Sequence, residues 1–232
     1  MKTIGIIGGM SWESTVTYYK RINEIIRERL GGLHSAKMVI ASVEFHEVEA
    51  LQRQNDWEAA GRILARCAQG LEAAGAECIV IGANTMHLCA AQVEAAVNIP
   101  LLHIADATAG AAKRVGVRRA ALLGTRYTME KDFLKNRLKA CGLDVLVPEA
   151  DDRAEINRII YEELCCGRVL DASRETFRRI IAKLAAAGAE GVILGCTEID
   201  LIVRPEDSPV PVIDTTEAHA EAAAAFCLEA PF

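Results

Sequence analysis

The chain contains a copy of part of itself, and that feature constrains its fold more than any other. Leu71-Glu72-Ala73-Ala74-Gly75-Ala76-Glu77-Cys78-Ile79-Val80-Ile81-Gly82 aligns without a gap on Leu184 to Gly195. Leu71/Leu184, Ala73/Ala186, Ala74/Ala187, Gly75/Gly188, Ala76/Ala189, Glu77/Glu190 and Gly82/Gly195 are identical pairs. Each copy reads as a helix end, a glycine stop, a short apolar strand and a glycine turn. Alanine helices could match by composition alone, but the match continues through the glycine and the strand, which favours duplication.

Two shorter echoes extend the repeat. More weakly, Gly5-Ile6-Ile7-Gly8 resembles Ala121-Leu122-Leu123-Gly124, and Asp106-Ala107-Thr108 resembles Asp214-Thr215-Thr216, each of the last two following an apolar strand. Each half then reads as four strands alternating with helices, which points to parallel sheets covered on both faces. The expected fold is therefore α/β, with two pseudo-symmetric lobes, each a parallel four-stranded sheet flanked by helices. Residues 1–105 plus 214–232 should form the first lobe and 106–213 the second, with the active site in the cleft between them. On the first long helix, Val16, Tyr19, Ile22 and Ile26 are expected to share the apolar face, closed by Gly31-Gly32.

Composition removes several classes of function. The net charge of −6 argues against nucleic acid, which calls for clustered Lys and Arg. No apolar run reaches the roughly 18 residues of a membrane span. Met1-Lys2-Thr3 leads directly into Ile4-Gly5-Ile6-Ile7, read as a strand and not as a signal peptide. Eight scattered cysteines without a CxxC pair suggest free thiols in a reducing cytoplasm, most of them small buried residues. Gly5-Ile6-Ile7-Gly8-Gly9-Met10 lacks the GxGxxG spacing of a dinucleotide fingerprint, there is no Walker A sequence, and the five histidines have no metal-ligand spacing.

In open parallel sheets, ligands bind beyond the carboxyl ends of the strands. Four such loops are rich in glycine and small polar residues: Gly8-Gly9-Met10-Ser11, Gly82-Ala83-Asn84-Thr85, Gly124-Thr125-Arg126-Tyr127-Thr128 and Gly195-Cys196-Thr197-Glu198. Ordinary strand-to-helix turns use the same residues, but four loops paired by the repeat favour a two-sided carboxylate site. Cys196 is the most chemically capable residue among them. If a helix begins beside it, its thiolate would be favoured and could act as a base at neutral pH.

At this point a family resemblance becomes specific. Gly195-Cys196-Thr197-Glu198-Ile199 resembles the GCTE hallmark of aspartate/glutamate racemases. The opening Ile4–Thr15 stretch and Asn84-Thr85-Met86-His87 resemble the same family's first strand and first-lobe loop. The likeness runs nearly end to end, through Gly32-Leu33-His34-Ser35-Ala36 and Leu123-Gly124-Thr125-Arg126-Tyr127-Thr128-Met129. It is strongest to the L-aspartate/glutamate-specific branch. The resemblance implies a cofactor-independent amino-acid racemase without metal, in which one group removes the α-proton and another returns it on the opposite face. Cys196 would be one base. Met10, Gln52, Asn84, Thr85, Thr125, Thr128, Thr197 and Glu198 would contact a small amino-acid substrate. Neither nucleic acid nor a membrane is an expected partner, and a homodimer is admissible.

Two departures stand out. The family's usual first-lobe cysteine falls at Ala83, where the nearer branch carries threonine, so the second base's position has no proton to give. Aspartate-specific members resemble Tyr-Glu-x-x-Lys-x-Gly where this chain reads Tyr161-Glu162-Glu163-Leu164-Cys165-Cys166-Gly167, which puts Cys165 at the lysine's position. Two rival readings stay open. One is a single-cysteine, decarboxylase-like enzyme of the same fold; the other is a catalytically silent amino-acid-binding protein.

Overall fold

The computed structural model describes residues 1–229. The chain divides into two compact units, Met1–Ile104 with the segment from His219 onward, and Ala105–Ala218. The first contains β1 (Ile4–Gly8), α1 (Trp12–Leu30), β2 (Met38–Ser42), α2 (Phe45–Gln54), α3 (Trp57–Ala73) and β3 (Cys78–Ile81). A 3-10 turn (Thr85–Cys89), α4 (Ala90–Ala96) and β4 (Leu101–Leu102) follow. After α5 (Ile104–Arg114) come β5 (Arg119–Gly124), α6 (Arg126–Glu130), α7 (Asp132–Ala140), β6 (Asp144–Leu146), α8 (Ala150–Glu162), α9 (Asp171–Ala186) and β7 (Gly191–Gly195). The chain ends with two 3-10 turns (Ile199–Leu201 and Pro205–Asp207), β8 (Val212–Asp214) and α10 (Thr215–Leu228).

There are two separate parallel sheets of four strands, ordered β2-β1-β3-β4 and β6-β5-β7-β8. The order is the same when each strand of the second is matched to its counterpart in the first. The repeat persists to individual bonds. Gly75 and Gly188 both take positive φ, 91° and 95°, so the chain turns out of the helix as only glycine does easily. The next amide bonds back into the helix in both copies, Ala76 to Leu71 and Ala189 to Leu184, each at 3.0 Å. Glu77 then accepts the Thr3 amide at 2.7 Å, and Glu190 accepts the Arg118 amide at 2.7 Å. One carboxylate thus ties each α–β turn to the neighbouring central strand.

The two-residue period of the strands sorts the first unit's core into two faces. Ile7, Ile79 and Ile81 pack with Val48, Leu64, Leu71 and Val93 on one side. Ile4, Ile6, Cys78 and Val80 pack with Tyr18, Ile22 and Ile26 of α1 and with Ala220, Ala223 and Cys227 of α10 on the other. In the second unit, Leu123, Val192 and Leu194 join Ile156, Ile160, Phe177 and Ile181. At the order of 25 cal/mol per Å² of apolar surface removed from water, these buried faces dominate the stability of each unit. Among the described residues, no helix is long and apolar enough to cross a membrane.

The sequence-based reading needs three corrections. The buried face of α1 is Ser14, Tyr18, Ile22, Ile25 and Ile26, whereas Val16 and Tyr19 are each 53% exposed. At about 100° per residue, Tyr19 lies on the flank of that face and Val16 beyond it. Strands and helices do not simply alternate, because α2 is followed directly by α3, α6 by α7 and α8 by α9. Finally, all eight cysteines are free, but Cys141, Cys165 and Cys166 are exposed, so burial does not describe most of the set.

Candidate active site

In the first unit, adjacent central strands deliver two of the predicted loops side by side. β1 pairs with β3 in the register Ile7↔Ile81. Beyond β1, Gly9 has φ 87°, and a Cβ there would lie 2.3 Å from the Val43 carbonyl oxygen, so the loop passes where no side chain fits. Met10 is buried in the same core cluster as Met86, and Ala83 packs against that cluster. Gln52, buried on α2, donates to Met86 Sδ at 3.0 Å. Met10, Met86 and Ala83 thus belong to one core, and Gln52 reaches it through Met86. Asn84 is buried and Thr85 half-buried at the start of the 3-10 turn.

His87, four residues beyond Ala83, has its ring bonded to backbone. Its Nε2 accepts the Ile104 amide at 3.3 Å and its Nδ1 is 2.9 Å from the Ala83 carbonyl. Burial, then the neighbouring His103 and His219 rings, hold its pKa well below the usual imidazole range. Both ring nitrogens are engaged with backbone.

The second unit repeats the arrangement. β5 and β7 are paired so that Gly124 lies opposite Gly195. Thr125 caps α6, its hydroxyl accepting the Thr128 amide at 3.3 Å. Its Oγ1 lies 3.2 Å from Thr128 Oγ1. A Cβ on Gly195 would come within 3.1 Å of Thr128 Cγ2. The fully buried Thr128 side chain thus rests on the backbone immediately before Cys196, which explains why both strands end in glycine.

Cys196 is half-buried and packs against the core of its unit. Its thiol donates to Glu198 Oε2 at 2.9 Å, and the Thr197 hydroxyl donates to the same oxygen at 2.7 Å. Burial first, and the Glu198 carboxylate second, push the thiol well above its ordinary pKa; Cys165 adds to the same direction. This overturns the expectation of a thiolate favoured by a helix start. The element after Cys196 is the three-residue 3-10 turn Ile199–Leu201, too short to gather a helix dipole. The resting residue is a neutral thiol whose proton points at a carboxylate.

Glu198, expected as a substrate contact, is the partner of the thiol; its place two residues after the cysteine is the signal the sequence offers. Next to this loop, Asp214 pairs in register with Leu194. Burial, Asp200 and Glu217 push its carboxyl up to about 6. In the sequence Asp214 reads only as a helix cap, and its Oδ1 does accept the Thr216 amide at 2.7 Å.

The model of the Asp/Glu/hydantoin racemase family matches residues 7–223. The chain belongs to that family. Among solved structures, a Yersinia pestis protein provisionally described as an Asp/Glu racemase is 53% identical, with 99% of this chain and 100% of the other covered and a TM-score of 0.94. An aspartate racemase homologue from Pyrococcus horikoshii OT3 is 41% identical over 99% of this chain and 100% of its own, with a TM-score of 0.87. The broad specificity amino-acid racemase RacX of Bacillus subtilis (strain 168) is 22% identical over 94% of this chain and 95% of its own length. The family's two-domain α/β fold, with two four-stranded parallel sheets, is the fold of this chain.

Proposed function

We propose that this chain is an amino-acid racemase that works without a cofactor, through proton transfer at the α-carbon, with Cys196 as the acid–base group. The observation that carries the proposal is the Cys196–Glu198 contact at the carboxyl end of central strand β7. The neutral thiol is already the form that gives a proton to a carbanion. To remove a proton instead, it must first pass its own to Glu198, leaving thiolate sulfur and a neutral carboxyl. The Thr197 hydroxyl on the same Glu198 oxygen keeps that carboxylate aimed at the thiol. Met10, Gln52, Asn84, Thr85, Thr125, Thr128 and Thr197 are the proposed substrate contacts. Backbone amides and hydroxyls there would bear the charge that builds on the substrate carboxylate as the α-proton leaves.

The substrate side chain is proposed to be neutral or of broad range. Cys165 occupies the position at which the acid-specific relatives resemble a lysine, so no cation stands there to pair with a second carboxylate. The likeness to RacX, described as broad in specificity, supports the same reading.

A second reading has its own support. Ala83 carries no titratable group and His87 has both nitrogens bonded to backbone. An enzyme that delivers a proton from the Cys196 side alone, as in a decarboxylase-like reaction, fits those facts. Incubation with a panel of amino acids in deuterated water separates the readings. Racemisation accompanied by α-deuterium, even where it lags behind exchange, supports the first; exchange with complete retention of configuration supports protonation from the Cys196 side alone, and no exchange with any amino acid opposes the racemase.

A further inference from the structure

The buried imidazoles of the first unit are not used in the proposed reaction. His87 is 2% exposed. A backbone amide can only donate, so the Ile104 amide bond to Nε2 fixes the ring proton on Nδ1. Nδ1–H therefore donates to the Ala83 carbonyl at 2.9 Å.

The backbone explains why that carbonyl is available. In an α-helix the His87 amide would bond to Ala83, four residues back. Here it bonds to the Asn84 carbonyl at 3.1 Å, the three-residue step of a 3-10 turn. The imidazole takes the place of the missing α-helical bond. Such winding leaves an acceptor in a part-buried place, and leaving it unmet would cost free energy.

The surroundings are equally fixed. The rings of His103, beside β4, and His219, on α10, lie 4.6 and 5.7 Å from His87 between centroids. His219 Nε2–H donates to the Leu102 carbonyl at 2.6 Å, and its Nδ1 accepts the Tyr18 hydroxyl of α1 at 2.9 Å. Among the described residues, the rings of His103 and His219 are the titratable groups that act on His87, and both are buried. A proton added to Nε2 would displace the Ile104 amide, and burial with two adjacent imidazoles already disfavours that charge.

We propose that His87 is a positioning residue: its Nδ1–H tautomer clamps Ala83 to the start of α5, holds the turn in its 3-10 winding and so sets the directions of Asn84 and Thr85. The effect on catalysis rests on the reading of Asn84 and Thr85 as substrate contacts; the clamp itself does not.

The test has one arm for each. In the wild-type protein labelled with ¹⁵N-histidine, His87 should show a protonated Nδ1 and a bare Nε2, unchanged between about pH 5.5 and 9. An Nε2–H tautomer, or a ring titrating near the ordinary imidazole midpoint, overturns the clamp. The second arm compares His87→Asn, whose amide can still bond back to the carbonyl four residues earlier, with His87→Leu, which cannot. His87→Leu should raise KM for the best amino acid of the panel by at least about tenfold while kcat changes less, and His87→Asn should restore most of that loss. A folded His87→Leu with wild-type KM, or a His87→Asn no better than it, overturns the positioning role. If His87→Leu does not fold, a His87→Asn KM within about threefold of wild type supports the role and a larger rise opposes it. Absence of α-proton exchange in the wild type counts against the reaction and leaves the tautomer result to decide the clamp.

Discussion

The Cys196 thiol donates to Glu198 Oε2 at 2.9 Å, so the proposed acid–base residue and the carboxylate that adds to the effect of burial in raising its pKa are two positions apart in one loop. The contact carries most of the functional account, and it can be tested apart from turnover. Glu198→Gln removes a negative charge while keeping a carbonyl that can accept the thiol proton. It should lower the thiol pKa and increase alkylation of Cys196 by iodoacetamide at pH 8 by roughly severalfold, since a pKa lower by one gives about ten times as much thiolate. Mass spectrometry of the Cys196 peptide separates it from the other cysteines. Unchanged or slower alkylation would mean that the carboxylate does not hold the proton on sulfur.

Asp214 gives a prediction in stability. Its carboxyl is pushed up to about 6 in the fold, above the ~3.9 of an unfolded chain. The neutral form is the one the fold favours, so its contribution is full below about pH 4 and is lost as pH rises through about 6. Asp214→Asn keeps an oxygen for the Thr216 amide and removes the charge. Thermal melts should show Asp214→Asn more stable than wild type at pH 8, by on the order of a few degrees, and nearly equal at pH 4. A lower melting temperature at pH 8 would contradict this assignment.

Position 165 is predicted to govern which side chains are accepted. Cys165 acts electrostatically on Cys196, in the direction that disfavours its thiolate. A cation there would act in the opposite direction and offer a partner to an acidic substrate. Cys165→Lys should raise kcat/KM for aspartate relative to a neutral amino acid by at least about tenfold. Unchanged discrimination would remove position 165 from specificity.

Ala83 is predicted to limit inversion. With no titratable group at 83 and His87 tied to backbone, the chain should exchange the α-proton faster than it inverts configuration. Ala83→Cys should raise the ratio of racemisation to deuterium incorporation by at least an order of magnitude, within the ~10²–10⁴-fold range of a positioned acid or base. If the wild type already inverts at every exchange and Ala83→Cys adds nothing, the second donor lies elsewhere.

Much of the fold is legible in the sequence because the duplication is ungapped and its strands are short and apolar. Gly75 and Gly188, and Glu77 and Glu190, hold equivalent positions in sequence and make equivalent bonds in space. The buried face of α1 is less legible, since Tyr19 sits at its edge and only packing by Tyr18 and Ile25 shows where the face lies. For the proposed site, the sequence names candidate residues but does not show their states. Thr197-Glu198-Ile199 reads as a helix start, yet the turn winds as a short 3-10 segment and Glu198 comes back onto the thiol. His87 is similarly ambiguous, because its tautomer is set by the amide of Ile104, seventeen residues away.

The central claim is that Cys196 moves the α-proton, and the most direct measurement is α-proton exchange by wild type and Cys196→Ser in deuterated water, followed by NMR over the amino-acid panel. Ser is nearly isosteric and can still bond to Glu198, so the fold should persist, as circular dichroism would verify. The account predicts exchange in the wild type and its loss, by a factor of about 10² or more, in a folded Cys196→Ser. Undiminished exchange in that variant would contradict it.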